Sequence, residues 1–319
     1  MNNITHNTEP PSLLTSRWVI SRRVFLKAAG GALAIGSLSC RSLPRMNSKA
    51  VRFGIVTDCH YADADPSGAR YYRESFDKLA ECVETMNAER VDFLVELGDF
   101  KDQNTPPDEQ STICHLVTIE TVLQQFNGPI YHVLGNHDTD SISKELFLSH
   151  VTNTGIHPQC SYYSFDRAGV RFIVLDANFR ADGIPYGYGN FKWTDANIPP
   201  AEMDWLKQTL AEAPGHCIIF THQLLSGTGD TTANNAKEVR ETLEASNKVL
   251  AVFQGHHHGG GYKLVENIHF YTLKAVVEGS GENNNSYAIV EVTPTGDITV
   301  TGYRRATSMR LDVKIPTLK

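Results

Sequence analysis

Val91-Asp-Phe-Leu-Val-Glu-Leu-Gly-Asp99-Phe-Lys-Asp102 is the stretch on which the fold turns. Its apolar, β-leaning run stops at Gly98-Asp99, so Asp99 is expected at the carboxyl end of a buried strand. That is where α/β sheets put their chemistry. Read alone, Gly-Asp is equally a chain-reversing turn. Four other strand ends decide between the two readings.

Upstream, Val51 to Thr57 reads as a strand that stops at Asp58-Cys59-His60. A helix is expected over 70–87, with Phe76, Leu79, Ala80 and Val83 on one face at helical spacing. Downstream, a helix over 110–126 leads into a strand at 130–134 that ends in Gly135-Asn136-His137-Asp138. Residues 162–166 and 170–175 form a hairpin about Ala168-Gly169. A helix over 201–211 precedes the strand 217–221, which ends at His222. A further helix over 237–246 precedes the strand 249–253, which runs into Gly255-His256-His257-His258-Gly259. The tail from 262 to 313 is strand and turn, with strands expected at 262–265, 270–273, 286–292 and 298–301. A βα-rich start and a β-rich end predict an α/β fold, two mixed sheets packed together with helices outside, in a single domain over 49–319.

The 319 residues are 41% hydrophobic and 20% charged, an ordinary globular composition without internal repeats. The net charge of -7 hides an asymmetry: Arg17, Arg22, Arg23, Lys27 and Glu9 give residues 1–39 a net +3, leaving -10 on the remainder. So acidic a body argues against nucleic-acid polymers as partners. The six cysteines (40, 59, 82, 114, 160 and 217) show neither a CxxC pair nor metal-finger spacing and demand no disulfide.

Ser21-Arg-Arg-Val-Phe-Leu-Lys27 followed by the soft apolar run 28–38 reads as a twin-arginine export signal. The run is too short and too glycine-rich to span a bilayer. Residues 1–48 are therefore signal and linker, with the twin-arginine translocation machinery as a partner and a periplasmic or cell-surface destination. Lipidation at Cys40 stays open, because Ser37 stands where a bacterial lipobox wants a branched apolar residue.

Five apolar strands thus end in Asp58 and His60, Asp99, Asn136 and His137, His222, and His256 and His258. Carboxylate, imidazole and amide oxygens together suit Mn, Fe, Zn or Co, with Mg also admissible, rather than a thiolate-selective soft metal. The i, i+2 pairs Asp58/His60 and His256/His258 put both donors on one face of an extended segment, with Cys59 and His257 turned away.

With these motifs assembled, the chain resembles the calcineurin-like metallophosphoesterases. Their D-x-H, GD-xx-D, GNH-D/E, H and GH-x-H pattern is matched in order by DCH, GDFKD, GNHD, THQ and GHHH over residues 51 to about 310. The resemblance implies an α/β/β/α sandwich and two divalent cations. One would take Asp58, His60, Asp99 and His258; the other would take Asp99, Asn136, His222 and His256. Phe100-Lys101 offers no tyrosinate of the kind that purple acid phosphatases use. The resemblance implies hydrolysis of a small phosphoester, with a water between cations about 3.5–4 Å apart attacking phosphorus in line. His137 would stabilise or protonate the leaving oxygen, with Asp138 either orienting its ring or capping a helix. Asp102 is expected to support the ligands rather than to be one.

A narrower resemblance is to the manganese-dependent ADP-ribose/CDP-alcohol diphosphatases. It rests on Arg52 to Asp63 with Arg70-Tyr-Tyr-Arg73, on Gly255 to Tyr262, and on Glu278-Gly-Ser-Gly-Glu282. That family has Gln where this chain has His60, a change expected to hold its cation more tightly. Arg70, Tyr71 and Arg73 are the candidate substrate contacts, offering charge to a diphosphate and an aromatic face to a base. A phosphomonoesterase, a cyclic-nucleotide phosphodiesterase or a metal-free protein-binding scaffold are the competing readings.

Overall fold

The structure, a computed structural model, describes residues 49–312. The twin-arginine motif, Cys40 and the linker up to residue 48 lie outside the described residues. In chain order the elements are β1 (Val51–Val56), α1 (Ser75–Glu89), β2 (Phe93–Glu96), α2 (Glu109–Leu123), β3 (Ile130–His132) and α3 (Lys144–His150). There follow β4 (Tyr163–Arg167), β5 (Val170–Val174), α4 (Pro200–Ala211), β6 (Cys217–Thr221), α5 (Ala236–Ser246) and β7 (Val249–Gln254). The chain closes with β8 (Gly261–Val265), β9 (Ile268–Thr272), β10 (Ser286–Val292), β11 (Ile298–Arg304) and β12 (Met309–Leu311).

These strands make two six-stranded mixed sheets, ordered β12-β11-β10-β1-β2-β3 and β4-β5-β6-β7-β9-β8. Between them lies an aromatic core: Phe53 stacks on Phe93 at 5.0 Å and meets Phe172, Phe220 and Phe253 edge-on. Each buried phenylalanine contributes about 1.5–3 kcal/mol through apolar area removed from water. On the outer face of the first sheet, Leu79, Cys82, Met86, Leu116, Ile119 and Phe147 bury α1 to α3. On the outer face of the second, Met203, Leu206, Leu210, Val239 and Leu243 bury α4 and α5. The architecture is the α/β/β/α sandwich.

Two expectations change. The first helix begins at Ser75 rather than Arg70, after a 3-10 turn at Tyr72–Glu74. Residues 70 and 71 are drawn into other pairing: Arg70 bridges Ser67 and Glu278, and the Tyr71 N–H donates to the Val277 carbonyl at 2.9 Å. The short helix α3 was not anticipated; the Ser143 hydroxyl caps it by accepting from the Leu146 N–H. Among the described residues, Cys59, Cys82, Cys114, Cys160 and Cys217 form no disulfide.

β1, β2 and β3 run parallel, as do β5, β6, β7 and β9, and the metal-type residues follow their carboxyl ends. The segment leaving β9 laces the two sheets together there. Its amides at Leu273, Ala275, Val276 and Val277 donate to the carbonyls of Gln254, His258, Thr57 and Asp58. Among the described residues, no helix is long and apolar enough to cross a membrane.

Candidate metal centre

The strand ends do not continue as extended chain. Asp58 (φ 52°), His60 (φ 45°), Asp99 (φ 56°) and His256 (φ 63°) adopt left-handed backbone, which costs an L-residue about 1–2 kcal/mol. This corrects the expected i, i+2 geometry. The turns arise because the amides of Asp58 and His60 are held by the carbonyls of Gly98 and Asp99 on the neighbouring strand end, at 3.0 and 2.9 Å. Cys59 nevertheless packs into the core against the helices, and His257 is exposed. Two glycines let the loops close. A Cβ on Gly135 would stand 2.1 Å from the Asp99 nitrogen, and one on Gly255 would stand 2.1 Å from Thr57 Oγ1.

The folded chain gathers the expected ligands in the triads Asp58/His60/His258 and Asp99/His222/His256, with a third group, His60/Asp102/His137, beside them, each with its candidate ligand atoms within 4.8 Å. Asp99 joins them: its Oδ2 lies 3.0 Å from His222 Nε2 and 3.5 Å from His60 Nε2. His60 Nε2 faces His258 Nε2 at 3.2 Å, and His222 Nε2 faces His256 Nδ1 at 3.2 Å. The far nitrogens are already engaged. His60 Nδ1 meets Asp102 at 3.3 Å, His258 Nδ1 meets Glu278 at 2.6 Å, and His222 Nδ1 meets the Leu97 carbonyl at 2.9 Å. Each of those contacts fixes a tautomer whose inward nitrogen is a lone pair. Asp58 Oδ1, Asn136 Oδ1 and His256 Nε2 are buried without hydrogen-bond partners among the described residues. Converging lone pairs and orphaned acceptors repel one another unless a cation sits among them. The donor set fits divalent metal.

Beside the triads, His137 donates its N–H to Asp99 Oδ1 at 2.7 Å, while its ring Nδ1 lies 3.3 Å from Asp102 and 3.4 Å from Asp140. Burial opposes charge on this ring, but Asp99, Asp102 and Asp140 together raise its pKa well above the usual histidine value. Asp138 does not orient that ring, a second correction. Its carboxylate instead accepts the amides of Gly135 (2.8 Å), Phe100 (2.9 Å) and Asp99 (3.0 Å), knitting the Asp99 and Asn136 loops together. Burial and the neighbouring Asp99 push its pKa up to about 6.

The family model described as Calcineurin-like phosphoesterase matches residues 51–260. The chain belongs to that family. Within it, manganese-dependent ADP-ribose/CDP-alcohol diphosphatases from Arabidopsis thaliana and Oryza sativa subsp. japonica are 27% and 26% identical to this chain. The first alignment covers 71% of this chain and 86% of the relative, the second 76% and 88%. A dimetal phosphatase from Danio rerio has the same fold, at a TM-score of 0.71 and 21% identity over 82% of this chain and 99% of that one. A purple acid phosphatase from yellow lupin shares it at a TM-score of 0.57 and 12% identity, covering 83% of this chain and 53% of that one.

In this calcineurin-like phosphoesterase the expected substrate contacts divide. Arg70 reaches the edge of the site, its Nη1 lying 3.6 Å from Asp102 Oδ2. Tyr71 is half-buried beside it. Arg73 is not brought to the cluster: its guanidinium is bonded to Asp63 and Asp65, the latter at 2.7 Å, because the exposed turn at residues 67–70 folds the chain back on itself. Three contributors went unassigned from sequence: Glu278, which holds His258; Asp140, which pairs with buried Lys101 and faces His137; and Trp193, whose ring lies 5.7 Å from that of His256. Glu278 opens the Glu278-Gly-Ser-Gly-Glu282 motif, a signal that was in plain view.

Proposed function

We propose that this phosphoesterase is an exported, manganese-dependent hydrolase of nucleoside-diphosphate-type substrates, with ADP-ribose and CDP-alcohols as the first candidates. The observation that carries the reading is Asp99, one carboxylate oxygen within 3.5 Å of a histidine from each donor triad, beside the unpartnered Asp58 Oδ1 and Asn136 Oδ1. The names of the curated relatives support the substrate class. Asp58, His60, Asp99 and His258 would hold one cation, and Asp99, Asn136, His222 and His256 the other. When bound, two such cations supply positive charge for the phosphoryl oxygens and lower the pKa of the attacking water.

The remaining work falls to the chain's own groups. His137 has Nδ1 turned to Asp102 and Asp140, which leaves Nε2 to carry a proton to the leaving oxygen. Asp102 touches both His60 and His137, so one carboxylate orients a ligand and the proton donor together. Arg70 at the rim offers a cation to the substrate's second phosphate. In the same proposal, residues 1–48 are the twin-arginine signal and linker, and the mature enzyme works in the periplasm or at the cell surface. Replacing Arg22 and Arg23 by Lys should retain it in the cytoplasm.

The deciding experiment is a manganese-supplemented panel of ADP-ribose, CDP-choline, cyclic nucleotides, a phosphomonoester and a simple diester. Fastest turnover of the diphosphates is expected. Preference for the monoester or the cyclic nucleotides would replace the substrate assignment, and a chain that binds no manganese and hydrolyses nothing would be a scaffold.

A further inference from the structure

Two cavities flank the cluster, and charge separates them. One, of about 670 Å³, is walled by Asp63, Asp65, Asp102 and Asp108; Arg73 pairs with the first two and Arg70 lies beside the third, but the lining itself offers a diphosphate no lysine or arginine. The other, of about 460 Å³, opens directly from Asn136 and His137 and adds Lys192, Phe191 and Trp193. Its own acid, Asp140, is ion-paired with buried Lys101. A phosphate held at the triads therefore finds its favourable exit on the Trp193 side, and about 460 Å³ accommodates a nucleoside half.

The wall of that cavity is constructed rather than incidental. Residues 175–199, between β5 and α4, form a long connection of the kind that compact domains keep for function. It is pinned along its length. Tyr186 and Tyr188 donate backbone N–H groups to the carbonyls of Asn178 and Ile142, and Asn197 donates its own to Ala177. Buried Tyr186 stacks on Phe191 at 3.9 Å, and its hydroxyl donates to the Lys192 carbonyl at 3.1 Å. The next residue, Trp193, is left 44% exposed beside His256. A fixed backbone holding a large apolar ring in water at the mouth of a reaction site is a poor use of tryptophan for stability and a good one for stacking.

We propose that Trp193 is the platform on which the base of the nucleoside-diphosphate substrate stacks, making the 175–199 connection the specificity element of this enzyme. The inference rests on the phosphoester reading above and adds the end of the substrate that the site selects. Lys192 beside the ring disfavours a cationic choline as occupant and suits a nucleotide.

The test compares AMP with ribose 5-phosphate, which share a phosphate and differ by the base, binding to the manganese-loaded full chain by calorimetry. Stacking on one aromatic ring predicts tighter binding of AMP by roughly 5- to 100-fold. Trp193→Ala should abolish that preference and leave the ribose 5-phosphate affinity unchanged, while Trp193→Phe should keep most of it. A wild-type chain that does not discriminate, or a preference that survives Trp193→Ala, overturns the platform. So does an equal loss of both ligands in that variant. If neither phosphate binds, the platform falls, while turnover of the substrate panel decides the phosphoester reading separately.

Discussion

Gly135→Ala adds one methyl group, and the structure makes it a severe test of the Asp99 bridge. The new Cβ would lie 2.1 Å from the Asp99 nitrogen and 2.3 Å from its Oδ1, where real Cβ contacts do not fall below 3.0 Å. Both the backbone and the carboxylate of Asp99 must therefore retreat by most of an ångström. Neither is a flexible side-chain end: the nitrogen donates to Asp138, and Oδ1 accepts from the His137 amide at 2.7 Å. Overpacking of this kind costs about 1–3 kcal/mol of stability. Metal coordination tolerates only about 0.2 Å of displacement, so the larger effect falls on binding, at least ~10- to 100-fold weaker manganese at both positions. Thermal unfolding gives the first quantity and isothermal calorimetry with manganese the second. Gly261→Ala, where nothing lies within 4 Å of the added Cβ, serves as the silent control. A Gly135→Ala chain that binds two manganese ions with wild-type affinity would refute the bridging role of Asp99.

Further outcomes follow from other contacts. His137→Ala should slow hydrolysis by about 10²- to 10⁴-fold with poor leaving groups and much less with a nitrophenolate; equal losses on both would remove the proton-donor role. Glu278→Ala frees His258 Nδ1 from its 2.6 Å contact and should weaken one manganese ion by about 10- to 100-fold while sparing the other, a split visible in a two-site titration. Glu202 gives a pH signature far from the metals. Burial, followed by the charge of Asp176, raises its folded pKa well above the ordinary 4.5. Its proton is therefore held more tightly folded than unfolded, and stability falls as pH climbs above about 4.5, by up to ~1.4 kcal/mol per unit until the folded pKa is reached. Glu202→Gln should melt higher than wild type at pH 8 and alike at pH 4; the same difference at both would contradict the assignment.

The strand ends around the site are readable because each buried strand is a short apolar run with a polar stop, and the stops carry metal-type donors. Asp58, Asp99 and His222 were found that way, and the structure brings them together. What escaped depends on contacts between distant segments. Nothing near residue 138 announces that its carboxylate will bind amides at 99–101 and 135 instead of the adjacent imidazole. Helical spacing over 70–87 gave no sign that residues 70 and 71 would pair with 277 and 278. Arg73 looked free because its partners Asp63 and Asp65 sit on the far side of a turn. Trp193 lay in a connection without periodicity, and only the packed loop reveals its exposure.

The left-handed backbone at Asp58, His60, Asp99 and His256 has an evolutionary corollary. Glycine would relieve the strain at each position, but at Asp58 and Asp99 it would also strip the His256 and His137 amides of their buried acceptors, which leaves His256 as the ligand the metal-free chain would be more stable without. Selection for thermal stability alone and selection for turnover should then pull one library in opposite directions. Heat-selected variants would accumulate His256→Gly, whereas catalytically selected ones would keep that histidine and find their stability elsewhere in the sandwich.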